Sequence, residues 1–265
     1  MRKIKRIVRE WIDSNKNITF VISQITYKEL SKKNNETNLG MIWNILNPLL
    51  YMVVLSTYYG GINTGKGHLF PVYVFLGVTM FNFYSEATMT SMHSLVNNRG
   101  ILSKAKVPFE TFIIQRTLLS LRDYLFSSVS IIPILYFFDI HVGKRVLLLI
   151  PLLIITTFVF FGIGEILAVI FVFFADIDHL YGIFITLMTL VSGVFIPIEK
   201  LPERFNVILA INPVYLCIEM SRKCLMYNEH ISYKWWLLLI AWGVWLCLVG
   251  MLMMKKNKNN ILNKC

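Results

Sequence analysis

Hydrophobic residues in this chain fall into long runs separated by short polar joints. Six runs, at about 41–60, 70–92, 113–138, 146–173, 180–197 and 235–254, are long enough to cross a bilayer as helices. A hydrocarbon core of about 30 Å takes about 20 apolar residues per crossing, and only structures that satisfy their own backbone hydrogen bonds survive there. The pattern predicts an all-α integral membrane protein with six transmembrane helices and little chain left for a soluble domain. The first run, MIWNILNPLLYMVVLSTYYG, has Trp43 at one end and Tyr58 and Tyr59 at the other, as two membrane interfaces demand.

Ahead of that run, MRKIKRIVREWID sets Ile4, Ile7, Val8, Trp11 and Ile12 on one helical stripe opposite a basic face. A second amphipathic stretch, ITFVISQITYKEL, follows, and SKKNNETNLG then turns the chain into the bilayer. Residues 1–40 are therefore expected to form interfacial helices, their basic side among anionic headgroups. A basic flank that only fixes orientation would have the same composition.

Composition supports a membrane domain over residues 41–254, since 56% of the chain is hydrophobic and 15% charged. The net charge of +11 raises nucleic acid as a partner, but the basic residues collect in the segments that a six-span topology places inside. Sixteen lie inside, nine of them in residues 1–40, against eight outside, a count that includes Arg222 and Lys223. Both termini are expected in the cytoplasm, with residues 255–265 as a cytoplasmic tail. The first apolar run follows too much polar sequence to be a cleavable signal, so the first span should direct insertion. Cys217, Cys224, Cys247 and Cys265 form no C-x-x-C pair and read as apolar fillers.

Among the joints, GGINTGKGH resembles a phosphate loop but has Gly67 where a hydroxyl is required and no preceding strand, so its glycines read as turn residues. The basic segment 97–110, NNRGILSKAKVPFE, holds apolar Ile101, Leu102 and Val107 in a short cytoplasmic loop. Either a partner covers them or the loop folds onto its own bundle. Asp176 and Asp178 in ADIDH read as a solvated turn, since two carboxylates and one His are too few for a metal centre. Residues 197–232 alternate prolines with apolar pieces too short to span, the pattern of short re-entrant helices between spans five and six, broken near Pro202 and at Asn212–Pro213. The intramembrane charges Glu86, Arg116, Arg122, Asp123 and Glu165 are expected to pair inside the bundle or to sit near a headgroup. No catalytic template is present, so the chain reads as a non-enzyme without a cofactor or metal of its own.

Aromatic rings on the first and fifth spans, Trp43, Tyr51, Tyr58, Tyr59, Phe184 and Phe195, are candidates for lining a path. Such rings stack on sugar faces without holding them tightly. A lipid-facing aromatic belt would use the same residues.

The order of these parts resembles the membrane subunits of ABC transporters that export polysaccharides, O-antigens and teichoic acids. Leu39, Gly40, Trp43 and Pro48 match that family's first-span pattern. Lys104, Lys106, Pro108 and Glu110 match its basic cytoplasmic loop. Phe174, Asp176 and Ile177 match the turn after span four, and Leu201, Pro202, Asn212 and Pro213 its two late proline pairs. The resemblance implies a homodimer in the bacterial cytoplasmic membrane, with two cytosolic ATPase subunits that bind ATP and Mg. It implies a lipid-linked polymer as cargo and an ATPase-coupling loop carrying Arg99, Ile101, Leu102, Lys104, Lys106, Pro108 and Glu110. Glu165 departs from the family's usual apolar residue. Alternatives are export of a drug, peptide or other small amphipathic cargo, or a membrane-embedded transferase acting on lipid-linked sugars.

Overall fold

The computed structural model describes residues 26, 40–59, 67–102, 107–195, 209 and 211–264. The expected interfacial helices of residues 1–40 lie outside these except for Thr26 and Gly40, as do Lys104, Lys106, Leu201 and Pro202. The described residues are helical, without strands: α1 (Trp43–Tyr59), α2 (Phe70–Asn97), α3 (Arg99–Leu102), α4 (Glu110–Ser128), α5 (Ile131–Phe137), α6 (Leu149–Phe173), α7 (Ile177–Val191), α8 (Pro213–Leu225), α9 (Tyr233–Lys256) and α10 (Lys258–Lys264). Among the described residues, three stretches are long and apolar enough to cross a membrane, Glu110–Phe137, Lys144–Phe173 and Tyr233–Lys256, and α7 is a shorter apolar helix. The chain is a multi-pass membrane protein.

Helix α2 occupies the centre, packed against α1, α4, α6 and α8. At 28 residues and about 1.5 Å per residue it is long enough to span. It nevertheless carries the polar residues Asn82, Ser85, Glu86, Thr88 and Ser91. Its neighbours shield it from lipid, and its buried threonine hydroxyls are satisfied by its own carbonyls. Thr79 Oγ1 donates to Phe75 O at 2.9 Å and Thr88 Oγ1 to Tyr84 O at 2.8 Å. Phe83, Tyr84, Tyr124 and Phe160 interlock beside these groups with ring centroids 5.0–5.4 Å apart.

Helix α9 lies along α6. The two backbones meet so closely that a Cβ on Gly162 would stand 2.7 Å from Cys247 N, the small-residue contact by which membrane helices associate. Gly250 of α9 likewise faces Glu165 of α6, where a Cβ would come within 2.6 Å of the Glu165 Cβ. Glu165 is fully buried, and neither of its carboxylate oxygens has a hydrogen-bond partner among the described residues.

Two predicted boundaries need correction. The third run is broken at Val129–Ser130, between α4 and α5. Pro133 donates no N–H and its ring crowds the carbonyl four residues back, at Val129. The fifth run starts earlier than predicted, at Ile177, and its helix ends at Val191. Gly193 then takes a left-handed conformation with φ 66°, the usual way for a helix to stop. Arg122 and Asp123, adjacent in sequence, pair with each other, the guanidinium Nε donating to Asp123 Oδ1 at 2.9 Å.

Candidate functional site

At the end of the bundle that the charge pattern assigns to the cytoplasm, the sequence-predicted coupling residues divide. Arg99 and Pro108 are exposed, Ile101 is half-buried, and Glu110 occupies the first turn of α4, where its charge suits the helix dipole. Leu102, read from the sequence as a docking residue, instead points inward and is only 5% exposed. It joins an apolar cluster with Leu95, Phe109, Phe112, Val172, Met254 and Ile261. Of the two possibilities left open by the sequence, its side chain takes the second, folding onto its own bundle.

Ile261 is a residue that the sequence reading missed. It belongs to α10, which folds back after α9, so the segment read as a tail contributes a fully buried side chain beside the loop. The signal was there: Ile261–Leu262 is an apolar pair within the otherwise polar KNKNNILNK. Also unforeseen is the contact between His93 Nε2 of α2 and Asp178 Oδ1 of α7 at 3.1 Å, which fastens the ADIDH turn.

Trp43, Tyr51 and Tyr58 are exposed on α1, with Asn47 between the first two at helical spacing, so α1 carries one open aromatic face. The Tyr59 side chain lies outside the described residues. Phe184 is exposed on α7 and stacks on Tyr181 with centroids 5.8 Å apart. Phe195, by contrast, packs half-buried against the core. The main packing of α1 is on α2 and α4, and that of α7 is on α6. Both helices also share α2 as a neighbour, α1 by direct packing and α7 through Tyr181.

Tyr181 is the one fully buried side chain of α7. Its hydroxyl donates to Thr88 Oγ1 at 2.8 Å and lies 3.0 Å from the Tyr84 hydroxyl, a buried polar trio that anchors α7 to α2. Beside the C-terminal half of α1, an apolar groove of about 440 Å³ is lined by Met52, Val53, Pro71, Ile134, Phe137 and Phe138 among others. The hydroxyls it contains, Ser56 and Thr57, donate to α1 carbonyls. Such a surface suits hydrocarbon and offers a sugar nothing to bond.

At the opposite end of the bundle, α8 is 13 residues long and buried on most sides against α2 and α6. Asn212 caps it, with extended backbone (ψ 114°) and a side-chain oxygen accepting from Val214 N at 3.0 Å, and Pro213 supplies the first helical residue. The Asn212 amide also donates to Ser192 Oγ at 3.1 Å, linking α8 to the end of α7. Pro202 lies outside the described residues.

Arg222 of α8 is 0% exposed. Its guanidinium donates to Tyr73 O at 3.0 Å, Gly193 O at 2.9 Å and Val194 O at 3.0 Å, reaches Glu219 Oε2 at 3.4 Å, and lies 3.4 Å over the Tyr73 ring. Composition counted it as a solvated outside charge. The fold buries it because four acceptors and an aromatic face converge there.

Residues 21–226 match the family model described as ABC-2 type transporter. The chain is 23% identical over 235 residues to the O-antigen export system permease protein RfbA of Klebsiella pneumoniae, covering 88% of this chain and 90% of that protein. It is 26% identical over 212 residues to the polysialic acid transport protein KpsM of Escherichia coli, covering 77% and 81%. It is 20% identical over 241 residues to the capsule polysaccharide export inner-membrane protein CtrC of Neisseria meningitidis serogroup B, covering 89% and 90%. With a family match across most of its length and a helical membrane bundle, this chain belongs to the ABC-2 type transporter family.

Proposed function

We propose that this chain is the membrane-spanning subunit of an ATP-driven exporter that moves a lipid-linked polysaccharide or teichoic acid polymer across the bacterial cytoplasmic membrane. The observation that carries this reading is alignment over 88% of the chain with a relative named for O-antigen export, joined by others named for polysialic acid and capsule export. Six spans, formed by α1, α2, α4 with α5, α6, α7 and α9, put both termini inside. Hydrolysis of ATP with Mg falls to a separate ATPase subunit, two copies per transporter, docked at residues 97–110 through the exposed Arg99 and the basic Lys104 and Lys106. The chain works as a homodimer, in which Trp43, Tyr51 and Tyr58 of one copy stand opposite Phe184 of the other to bound a path; the exposure of these rings on the single chain supports this. The segment 197–232, with α8 in it, shapes the exit.

Depleting the chain tests the reading. Surface polymer should disappear while its lipid-linked precursor accumulates inside. Persistence of surface polymer overturns it, and failure to form the precursor would indicate a transferase. The purified chain should hydrolyse no ATP until its ATPase partner is added.

A further inference from the structure

On the export reading α7 bounds the path, and the contacts of Arg222 tie its outer end to the bundle. Three backbone carbonyls, two of them just past a helix end, converge on this one guanidinium. Those of Gly193 and Val194 follow the end of α7, and that of Tyr73 is in the first turn of α2. The Gly193 carbonyl also accepts from the Tyr73 hydroxyl at 3.1 Å, so the same ring supports the cation and ties off the turn. Room for the guanidinium is made by Gly77, where a Cβ would come within 2.5 Å of Arg222 Nη2 and 2.7 Å of Val194 O. The Asn212–Ser192 hydrogen bond adds a second link between α8 and the end of α7. The opposite face of α7, with Ile183, Phe184, Leu187 and Leu190, is exposed.

We propose that Arg222 is a positioning residue that fastens the outer end of α7 to α8 and α2, so that these ends move as one body during export and the exit opens on the Phe184 face of α7. Several charged donors held on carbonyls of two different segments in a water-poor site make a contact that is costly to break and cheap to carry along intact. Lysine, with its single ammonium, cannot reproduce the planar fork. The inference rests on the export reading. Failure of that reading would show as unchanged surface polymer when the whole chain is absent, a control independent of Arg222.

The test uses the assembled transporter with its ATPase in cells that display the polymer. Ser192→Cys with Asn212→Cys, in a chain otherwise free of cysteine, places a lockable pair across the α7–α8 junction, and each preparation is its own control in reduced and oxidised form. Export by the oxidised pair equal to that by the reduced pair is expected. Arg222→Gln should lower export about tenfold or more through misplacement of α7, with chain and ATPase still co-purifying and hydrolysing ATP. Arg222→Lys should recover part of the loss, and oxidising the cysteine pair in the Gln variant should restore most of it, a rescue that a purely bulk-packing role does not give. A lock that stops export, a pair that cannot be oxidised at rest, or an Arg222→Gln chain that exports normally overturns the proposal. Should the Gln variant fail to assemble, the lock in the Arg222 chain decides alone.

Discussion

The two ends of the bundle are held together by a different balance of contacts. At the end that the basic residues mark as cytoplasmic, the cluster of Leu95, Leu102, Phe112, Val172, Met254 and Ile261 joins α2, α3, α4, α6, α9 and α10 through apolar contact, and the His93–Asp178 contact ties α2 to α7. At the outer end, polar side chains bind backbone: Arg222 to three carbonyls, Asn212 to Val214 N and to Ser192, and the Tyr73 hydroxyl to Gly193 O. The difference follows from where helices stop. At the first end, the loop side chains Leu102 and Phe109 turn inward and bury apolar surface. At the other, the chain ends α7 and begins α8 within the packed bundle. Free backbone groups there must be met by protein.

This contrast predicts different sensitivities, and the largest belongs to the inner end. Leu102→Asp puts a carboxylate among apolar side chains without a partner and should cost about 3 kcal/mol or more. The folded chain recovered in detergent should fall sharply, whereas the near-isosteric Leu102→Met should cost less than about 1.5 kcal/mol. Arg99→Glu, on the exposed side of the same loop, should leave stability unchanged and weaken ATPase co-purification. Equal instability of the Asp and Met variants would break the distinction between the inward and outward faces of this loop.

A smaller effect is expected at the outer end. Gly77→Ala forces a methyl between the Arg222 guanidinium and Val194 O, an overpacking cost of about 1–3 kcal/mol. Thermal unfolding in detergent should show the loss, and an unchanged midpoint would mean that the clamp yields easily. The smallest is Asn212→Ala, which removes the cap of α8 for about 1 kcal/mol. Asn212→Asp should retain the cap while losing the amide donor to Ser192, so the two variants separate capping from the link to α7.

The long elements were legible in the chain because burial in lipid is a nearly additive, local property, and each apolar run carries it on its own. The break at Asn212–Pro213 was also legible, since Pro lacks an N–H and Asn is a strong cap wherever it stands. The discontinuity at Val129–Ser130 was less so. Pro133 sits within an apolar run whose composition alone reads as one helix, and only the local clash divides it. Among the candidate site residues, Trp43, Tyr51, Tyr58 and Phe184 are exposed on α1 and α7, while Leu102 and Phe195 are drawn inward. An isolated apolar residue in a loop has the same sequence signature whether its partner is another protein or its own bundle.

By itself, the sequence determined that the chain lives in a membrane, where its apolar runs begin and end to within a few residues, and which segments carry the basic charge. These follow from transfer free energies summed over neighbours in the chain. The tertiary structure alone decided the placement of single polar groups. Arg222 is buried because carbonyls from residues 73, 193 and 194 converge on it, and Glu165 lies against Gly250 because α9 approaches α6 closely. The cost of burying a charge depends on which partners surround it. Those partners come from segments as far as 149 residues away along the chain, beyond the reach of any local pattern.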